Sequence, residues 1–123
     1  RYHGPNVPLT LETVPKPDNL APDEILVRVE AAALCHTELH FADGTLNLGV
    51  KPMTLGHETA GVVEQVGTAV ATSMLGERVI LYYYVGCGVC RWCKQGDEHI
   101  CATLSAEFGF ISDGGLANYI KVP

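Results

Sequence analysis

A β-strand bounded by glycines lies near the middle of the chain, in the stretch GHETAGVVEQVGTAV (residues 56–70). Its β-branched valines favour an extended backbone, and Gly61 and Gly67 mark turns or bends. The pattern predicts a strand over Thr59–Val66. His57 and Glu58, two side chains that can bind a metal or move a proton, stand directly before this strand.

Segments on both sides of this stretch show the same pattern of alternating apolar residues bounded by turn residues. The apolar alternation predicts strands over Glu24–Ala33, Glu77–Tyr84 and Leu116–Val122, and Val7–Val14 is expected to be an edge strand because Pro8 lacks an N–H. Glycines that end helical patterns predict short helices over Thr37–Asp43 and Arg91–Gln95. Many short strands separated by close turns favour a mainly β fold, a barrel or a sandwich, over alternating βαβ units.

Length, charge and cysteine content narrow the classes of function. The 123 residues are 47% hydrophobic, which suits one domain, and the net charge of −6 argues against a nucleic-acid partner. The longest apolar runs are far shorter than the roughly 20 residues that span a bilayer, so no membrane partner is expected. Five cysteines without a secretory signal at the start fit reduced thiols and a cytoplasmic location.

Four of the five cysteines form a compact cluster with the spacing C-x2-C-x2-C-x7-C: Cys87, Cys90, Cys93 and Cys101. Four thiolates can complete the tetrahedral shell of Zn²⁺, which leaves no position for water or substrate. This spacing predicts a structural zinc lobe over residues 86–101. A four-thiolate iron site is the alternative for this donor set, and buried or disulfide-bonded cysteines are a third reading.

A second group of polar residues follows the first predicted strand, in the run CHTELH (residues 35–40). It places a thiol, two imidazoles, a hydroxyl and a carboxylate within six residues. Taken alone the run is ambiguous. A lone cysteine after an apolar stretch is often a small buried hydrophobe, and two histidines on one short helix are often a solvated face.

The stretch from Gly56 to Val70 resembles the signature of the zinc-containing medium-chain alcohol dehydrogenases. The shared pattern is Gly-His-Glu, two residues, Gly61, five residues, Gly67, two residues and Val70. The four-cysteine lobe, the run that begins at Cys35 and the segments GERV (76–79) and GGLANY (114–119) agree with that family. The resemblance covers essentially the whole chain and implies a GroES-like catalytic domain, a partly open β-barrel with short helices.

The resemblance also implies a catalytic zinc site. Cys35 and His57 match two ligands of that zinc, and Glu58 matches a carboxylate behind it that steers the ion or becomes a transient ligand. Glu38 stands where the family often has Asp and is expected to orient a ligand imidazole. In the family, zinc acts as a Lewis acid on the alcohol oxygen and NAD accepts hydride.

Three further residues receive roles from the same resemblance. Thr37 is expected to accept the hydroxyl proton of the substrate, and His40 to pass it to solvent. His36 occupies a position that in the family can lie near the pyrophosphate of the cofactor. The implied substrates are small alcohols or carbonyl compounds.

We expect residues 1–123 to be the catalytic domain of such an enzyme without its cofactor domain, because no Gly-x-Gly-x-x-Gly follows a strand. NAD or NADP would then serve only the full-length enzyme, and this chain alone would not oxidise alcohols at a useful rate. Two alternatives remain: a zinc-assisted hydrolase acting on activated esters, and a non-catalytic module that self-associates through exposed apolar surface. A homo-oligomer is expected.

Overall fold

The computed structural model describes residues 1–49 and 52–123 as short strands, short helices and connecting turns. The strands are β1 (Ile25–Ala33), β2 (Glu58–Val66), β3 (Arg78–Leu81), β4 (Tyr84–Val85), β5 (Ala106–Glu107) and β6 (Tyr119–Val122). The helices are α1 (His36–Asp43) and α2 (Arg91–Gln95), with 3₁₀ turns over Thr72–Met74 and Glu98–Ile100. The prediction of a mainly β fold with short helices is confirmed.

An antiparallel sheet in the order β3-β2-β1-β6 forms the main layer, and β4 pairs with β5 in a separate two-stranded sheet. Among the described residues the strands do not close into a barrel. Strands β1 and β2 pair from Ile25 opposite Val66 to Ala33 opposite Glu58. The end of β1 therefore lies beside the start of β2, where the sequence places its candidate site.

Two apolar clusters hold these elements together. The larger one covers the inner face of the sheet, where alternate residues of each strand point to the same side; its buried members are Ile25, Val27, Val63, Phe108, Ile120 and Val122. The smaller one packs α1 against the N-terminus and the segment before β2, through Tyr2, Phe41, Met53 and Leu55. Phe41 is buried there, which fixes the face that α1 packs against this cluster.

Both predicted helices are confirmed. Helix α1 begins one residue earlier than expected, at His36, and ends at Gly44, whose φ of 85° is a left-handed conformation that glycine adopts without strain. Helix α2 has the predicted bounds. No helix in the described part of the chain has the length and apolar character needed to cross a membrane.

The prediction of a strand over Val7–Val14 is wrong, because this segment lies outside every described strand. Its backbone hydrogen bonds are local: the N–H of Thr10 donates to the carbonyl of Arg1, and that of Val7 to Gly4. Prolines on both sides and within the segment remove backbone donors, so an extended and partly apolar pattern here does not produce a ladder.

Two other predicted strands differ in extent. The segment Glu77–Tyr84 divides between two sheets, since β3 ends at Leu81 and β4 begins at Tyr84. The segment Leu116–Val122 becomes a strand only at Tyr119. The N–H of Leu116 instead donates to the carbonyl of Leu55, which ties this loop to the segment before His57.

Close approach of β1 and β2 requires a glycine at position 61. A Cβ at Gly61 would lie 2.3 Å from the carbonyl oxygen of Arg28 and 2.7 Å from a methyl group of Val27. Since the first neighbour is backbone, we expect Gly61→Ala to lower the free energy of unfolding by about 2 to 3 kcal/mol through overpacking. Chemical denaturation of both proteins measures the difference.

The matched control for this prediction is Gly76→Ala. Gly76 has a φ of 82° with nothing within 4 Å of its hypothetical Cβ. It therefore reports the backbone cost alone, about 1 kcal/mol. An equal or smaller loss for Gly61→Ala than for Gly76→Ala would show that the strands do not meet as described.

Candidate metal centres

The first candidate centre lies where β1 ends and β2 begins. One ligand atom from each of Cys35, His57 and Glu58 lies within 4.8 Å of the others. The pairing of Ala33 with Glu58 causes this proximity, because it sets the residues after β1 next to those that open β2. A thiol, an imidazole and a carboxylate in one place form a donor set suited to Zn²⁺.

A buried carboxylate, that of Glu38, connects the two sides of this centre. Its Oε2 accepts a 2.8 Å hydrogen bond from the backbone N–H of Cys35 and closes the first turn of α1. Its Oε1 lies 3.2 Å from Nδ1 of His57, and the exposed fractions of the two side chains are only 6% and 8%. The two atoms are within ion-pair distance, but their geometry is not that of a well-aligned hydrogen bond. It leaves Nε2 as the nitrogen of His57 that is available to an ion.

The other residues expected from α1 lie on the same short helix. Oγ1 of Thr37 is 3.6 Å from Sγ of Cys35, so its hydroxyl borders the centre. The rings of His36 and His40 lie with their centroids 4.8 Å apart. Nδ1 of His40 is shielded from solvent and has no hydrogen-bond partner in the described part of the chain, whereas His36 is exposed.

Two aromatic rings enclose His57, and the sequence did not identify them. The ring centroids of Tyr83 and Phe110 lie 5.2 and 5.1 Å from that of His57, and these two rings stack on each other at 5.5 Å. A hydrogen bond with Tyr84 and burial raise the pKa of Tyr83 to about 12, so its phenol is neutral near pH 7. Burial also raises the pKa of Glu107, against an opposing effect of the charge of His57.

The second candidate centre consists of the four clustered cysteines. Sγ atoms lie 3.5 Å apart between Cys90 and Cys93, and 3.9 Å apart both between Cys87 and Cys93 and between Cys90 and Cys101. Four sulfurs at about 2.3 Å from a central Zn²⁺ would be separated by about 3.8 Å. All five cysteines are free, so a disulfide does not explain the short separations. The sulfurs therefore fit a tetrahedral ion.

Backbone N–H groups donate hydrogen bonds to the sulfurs of this cluster and stabilise the thiolate form of two cysteines. The N–H of Cys90 donates to Sγ of Cys87, and that of Cys93 donates to Sγ of Cys90. Amides of Val89 and Cys90 lower the pKa of Cys87 to about 6, and the amide of Cys93 also lowers that of Cys90. Burial raises the pKa of Cys93 to about 12, against an opposing hydrogen bond from the amide of Gly88. A divalent cation bound at the cluster would favour the thiolate form of every cysteine in it.

The structure brings together every side chain predicted to bind a metal, in two separate groups. Whether ions bind there, and which, stays a prediction, as do the roles of Thr37, His36 and His40. The sequence does not predict that aromatic rings enclose His57. Three tyrosines follow one another at residues 82–84, and this pattern does not show which ring points inwards. The chain leaves β3 at Leu81 and enters β4 at Tyr84, and this break turns the ring of Tyr83 towards His57.

Comparison with known proteins agrees with these features. Residues 21–123 match the model of the alcohol dehydrogenase GroES-like domain. An NAD-dependent alcohol dehydrogenase of Sulfurisphaera tokodaii is 38% identical over 124 residues, which cover 94% of this chain and 35% of that protein. An alcohol dehydrogenase of Geobacillus stearothermophilus is 40% identical over 116 residues, which cover 93% of this chain and 34% of that protein.

A solved structure gives the same result. A cobalt- and zinc-bound thermostable alcohol dehydrogenase from Pyrobaculum aerophilum superposes with a TM-score of 0.84 at 30% identity, covering 100% of this chain and 39% of that one. This chain thus spans about a third of the length of the curated relatives it matches. With the family match over residues 21–123, the chain belongs to the alcohol dehydrogenase GroES-like domain family.

Proposed function

We propose that residues 1–123 form the catalytic-domain portion of a zinc-dependent alcohol dehydrogenase, with the zinc lobe at residues 86–101. The observation that carries the proposal is the convergence of Cys35, His57 and Glu58 in a chain of this family that also groups four cysteines. The named relatives are alcohol dehydrogenases, and one of them is NAD-dependent. The proposed reaction is hydride transfer between a small alcohol and NAD(P) in the full-length protein.

Zinc is the proposed ion at both centres. The four cysteines would hold one ion in a closed shell, and Cys35, His57 and Glu58 would hold the other with a position left for substrate. At the open centre the ion would supply Lewis acidity towards the alcohol oxygen, and the nicotinamide would accept the hydride. The three protein ligand atoms, within 4.8 Å of one another, fit a shell of this kind.

The side chains of this chain would position substrate and move the proton. The carboxylate of Glu38 accepts from the backbone N–H of Cys35 and lies 3.2 Å from Nδ1 of His57, so it would orient both ligands. The hydroxyl of Thr37, beside Cys35, would accept the proton of the alcohol. His40 would release this proton to solvent, and the exposed His36 would contact the cofactor pyrophosphate.

The rings around His57 suit the same reaction. Tyr83 and Phe110 cover one side of the imidazole with apolar surface, which excludes water and strengthens electrostatic interactions at the centre. Five free thiols fit the proposed cytoplasmic location. The exposed apolar side chains of Ile80 and Tyr82 support a proposed homo-oligomer.

A chimera tests the proposed reaction. Residues 1–123 would replace the matching third of the NAD-dependent alcohol dehydrogenase of Sulfurisphaera tokodaii, which supplies the rest of an enzyme of this family. We expect NAD reduction with short-chain alcohols, and a loss of about 100-fold or more in kcat/KM for the Cys35→Ala chimera, because a ligand of the Lewis acid is removed.

The control is the zinc content and far-UV circular dichroism of both chimeras. A folded chimera with both zinc ions that reduces no NAD with any alcohol would refute the proposed reaction. Activity retained in full by the Cys35→Ala chimera would refute the assigned centre.

Glu38→Gln tests the positioning role of the buried carboxylate. The glutamine amide oxygen can still accept from the N–H of Cys35, so the change removes the charge beside His57 and preserves the cap. We expect zinc affinity at the Cys35 centre to fall by about 10 to 100-fold, with affinity at the four-cysteine centre unchanged. Competition with a chromophoric chelator resolves the two affinities.

Glu30→Gln is the matched control, since Glu30 is an exposed carboxylate that pairs with Arg28 and Arg78 on the other face of the sheet. It should leave both affinities unchanged. Equal affinities for Glu38→Gln and the parent chain would show that the carboxylate only caps α1.

A further inference from the structure

Helix α1 brings together two imidazoles that neither cysteine-containing centre includes. His36 and His40 are separated by one turn, and their ring centroids lie 4.8 Å apart with the planes inclined by 56°. His36 is exposed, so an ion can reach it from solvent. Nδ1 of His40 is shielded from solvent, so an ion would bind this ring through Nε2, the other nitrogen of the half-buried imidazole.

The separation of the rings matches simultaneous binding to one ion. A late divalent metal lies about 2.1 Å from a coordinating imidazole nitrogen, and hence about 3.2 Å from the ring centre. For an angle at the metal of about 90 to 110°, the two ring centres would be about 4.5 to 5.2 Å apart. The observed 4.8 Å falls within this range.

Charge on the same helix favours a cation at this position. Asp43 follows His40 by one further turn, and its Oδ1 accepts a 2.8 Å hydrogen bond from the N–H of Thr45. Hydrogen bonds from the backbone and the side chain of Thr45 hold the pKa of Asp43 below its usual value, with smaller contributions from His40 and His36. The carboxylate is therefore negative at neutral pH, and its charge favours a cation near this part of the helix.

We propose that His36 and His40 form an accessory site for a late divalent transition-metal ion, distinct from the two cysteine-containing centres. Imidazole donors without thiolate favour Ni²⁺, Cu²⁺ and Zn²⁺ over Mg²⁺ and Ca²⁺. A solvated pair of histidines with no affinity for metal is the competing explanation.

This site would also affect the proposed reaction. An ion held by His36 and His40 would occupy the groups assigned to cofactor contact and proton release, and would therefore inhibit. Only this consequence rests on the proposed function, because metal binding by the two imidazoles does not require catalysis.

Isothermal titration of the zinc-loaded chain with Ni²⁺ tests the site, since prior zinc loading occupies the cysteine centres. His3 lies beside Glu12 and near the N-terminal amine, which could together bind Ni²⁺, so all four proteins also carry His3→Gln. We expect one Ni²⁺ bound per chain without zinc release, and an affinity reduced by about tenfold or more in His36→Gln and in His40→Gln. His99→Gln, which changes an exposed histidine in another part of the chain, should bind as the parent does. Equal Ni²⁺ affinity in all four proteins would overturn the proposal.

Chemical modification of the parent chain makes the test independent of variant folding. Diethyl pyrocarbonate acylates free imidazoles, and tandem mass spectrometry locates the modified residues. Ni²⁺ should protect His36 and His40 and leave the modification of His99 unchanged. Modification of His36 and His40 at the same rate with and without Ni²⁺ would contradict the site.

Discussion

The pairing of Ala33 with Glu58 is the constraint on which the candidate centre depends. It places Cys35, two residues after β1, near His57 and Glu58 at the start of β2, at one end of the two central strands of the sheet. A slip of one residue would turn the side chains of β2 to the opposite face and remove His57 and Glu58 from Cys35. The close contact at Gly61, where a side chain would meet the backbone of Arg28, helps to set this register.

The buried carboxylate of Glu38 connects helix α1 to His57, in addition to the strand register. One oxygen caps the first turn of α1 at Cys35, and the other lies 3.2 Å from Nδ1 of His57. A buried carboxylate is costly unless positive charge lies nearby, and the centre also contains a thiol and a second carboxylate. The same residues that define the geometry thus create a negative environment that a divalent cation would neutralise. Tyr83 and Phe110 close the apolar side of this environment.

The sequence predicts the parts of this site that depend on local spacing. The four cysteines are close along the chain, so their convergence follows from a short turn, and glycines after α1 and α2 end both helices where expected. His57 and Glu58 could be assigned by resemblance, because their motif is short and lies next to a clear strand. In these cases local chemistry and tertiary structure agree.

The remaining features depend on contacts that local patterns do not encode. Val7–Val14 looks like a strand by composition, but its prolines lack the donors that a ladder needs. Tyr83 reaches His57 only because the chain leaves one sheet after Leu81 and enters another at Tyr84. The hydrogen bond from Leu116 to Leu55 joins segments about half the chain apart, and no periodicity of either segment indicates it.

Two distinct metal centres in one small domain would bind two zinc ions. Elemental analysis of zinc in the chain purified without added metal, compared with the Cys35→Ala variant, counts them. We expect two zinc ions per chain and one in the variant, since the four-cysteine lobe is untouched by the change. One zinc ion in both proteins would contradict this expectation and leave Cys35, His57 and Glu58 as neighbours that hold no metal.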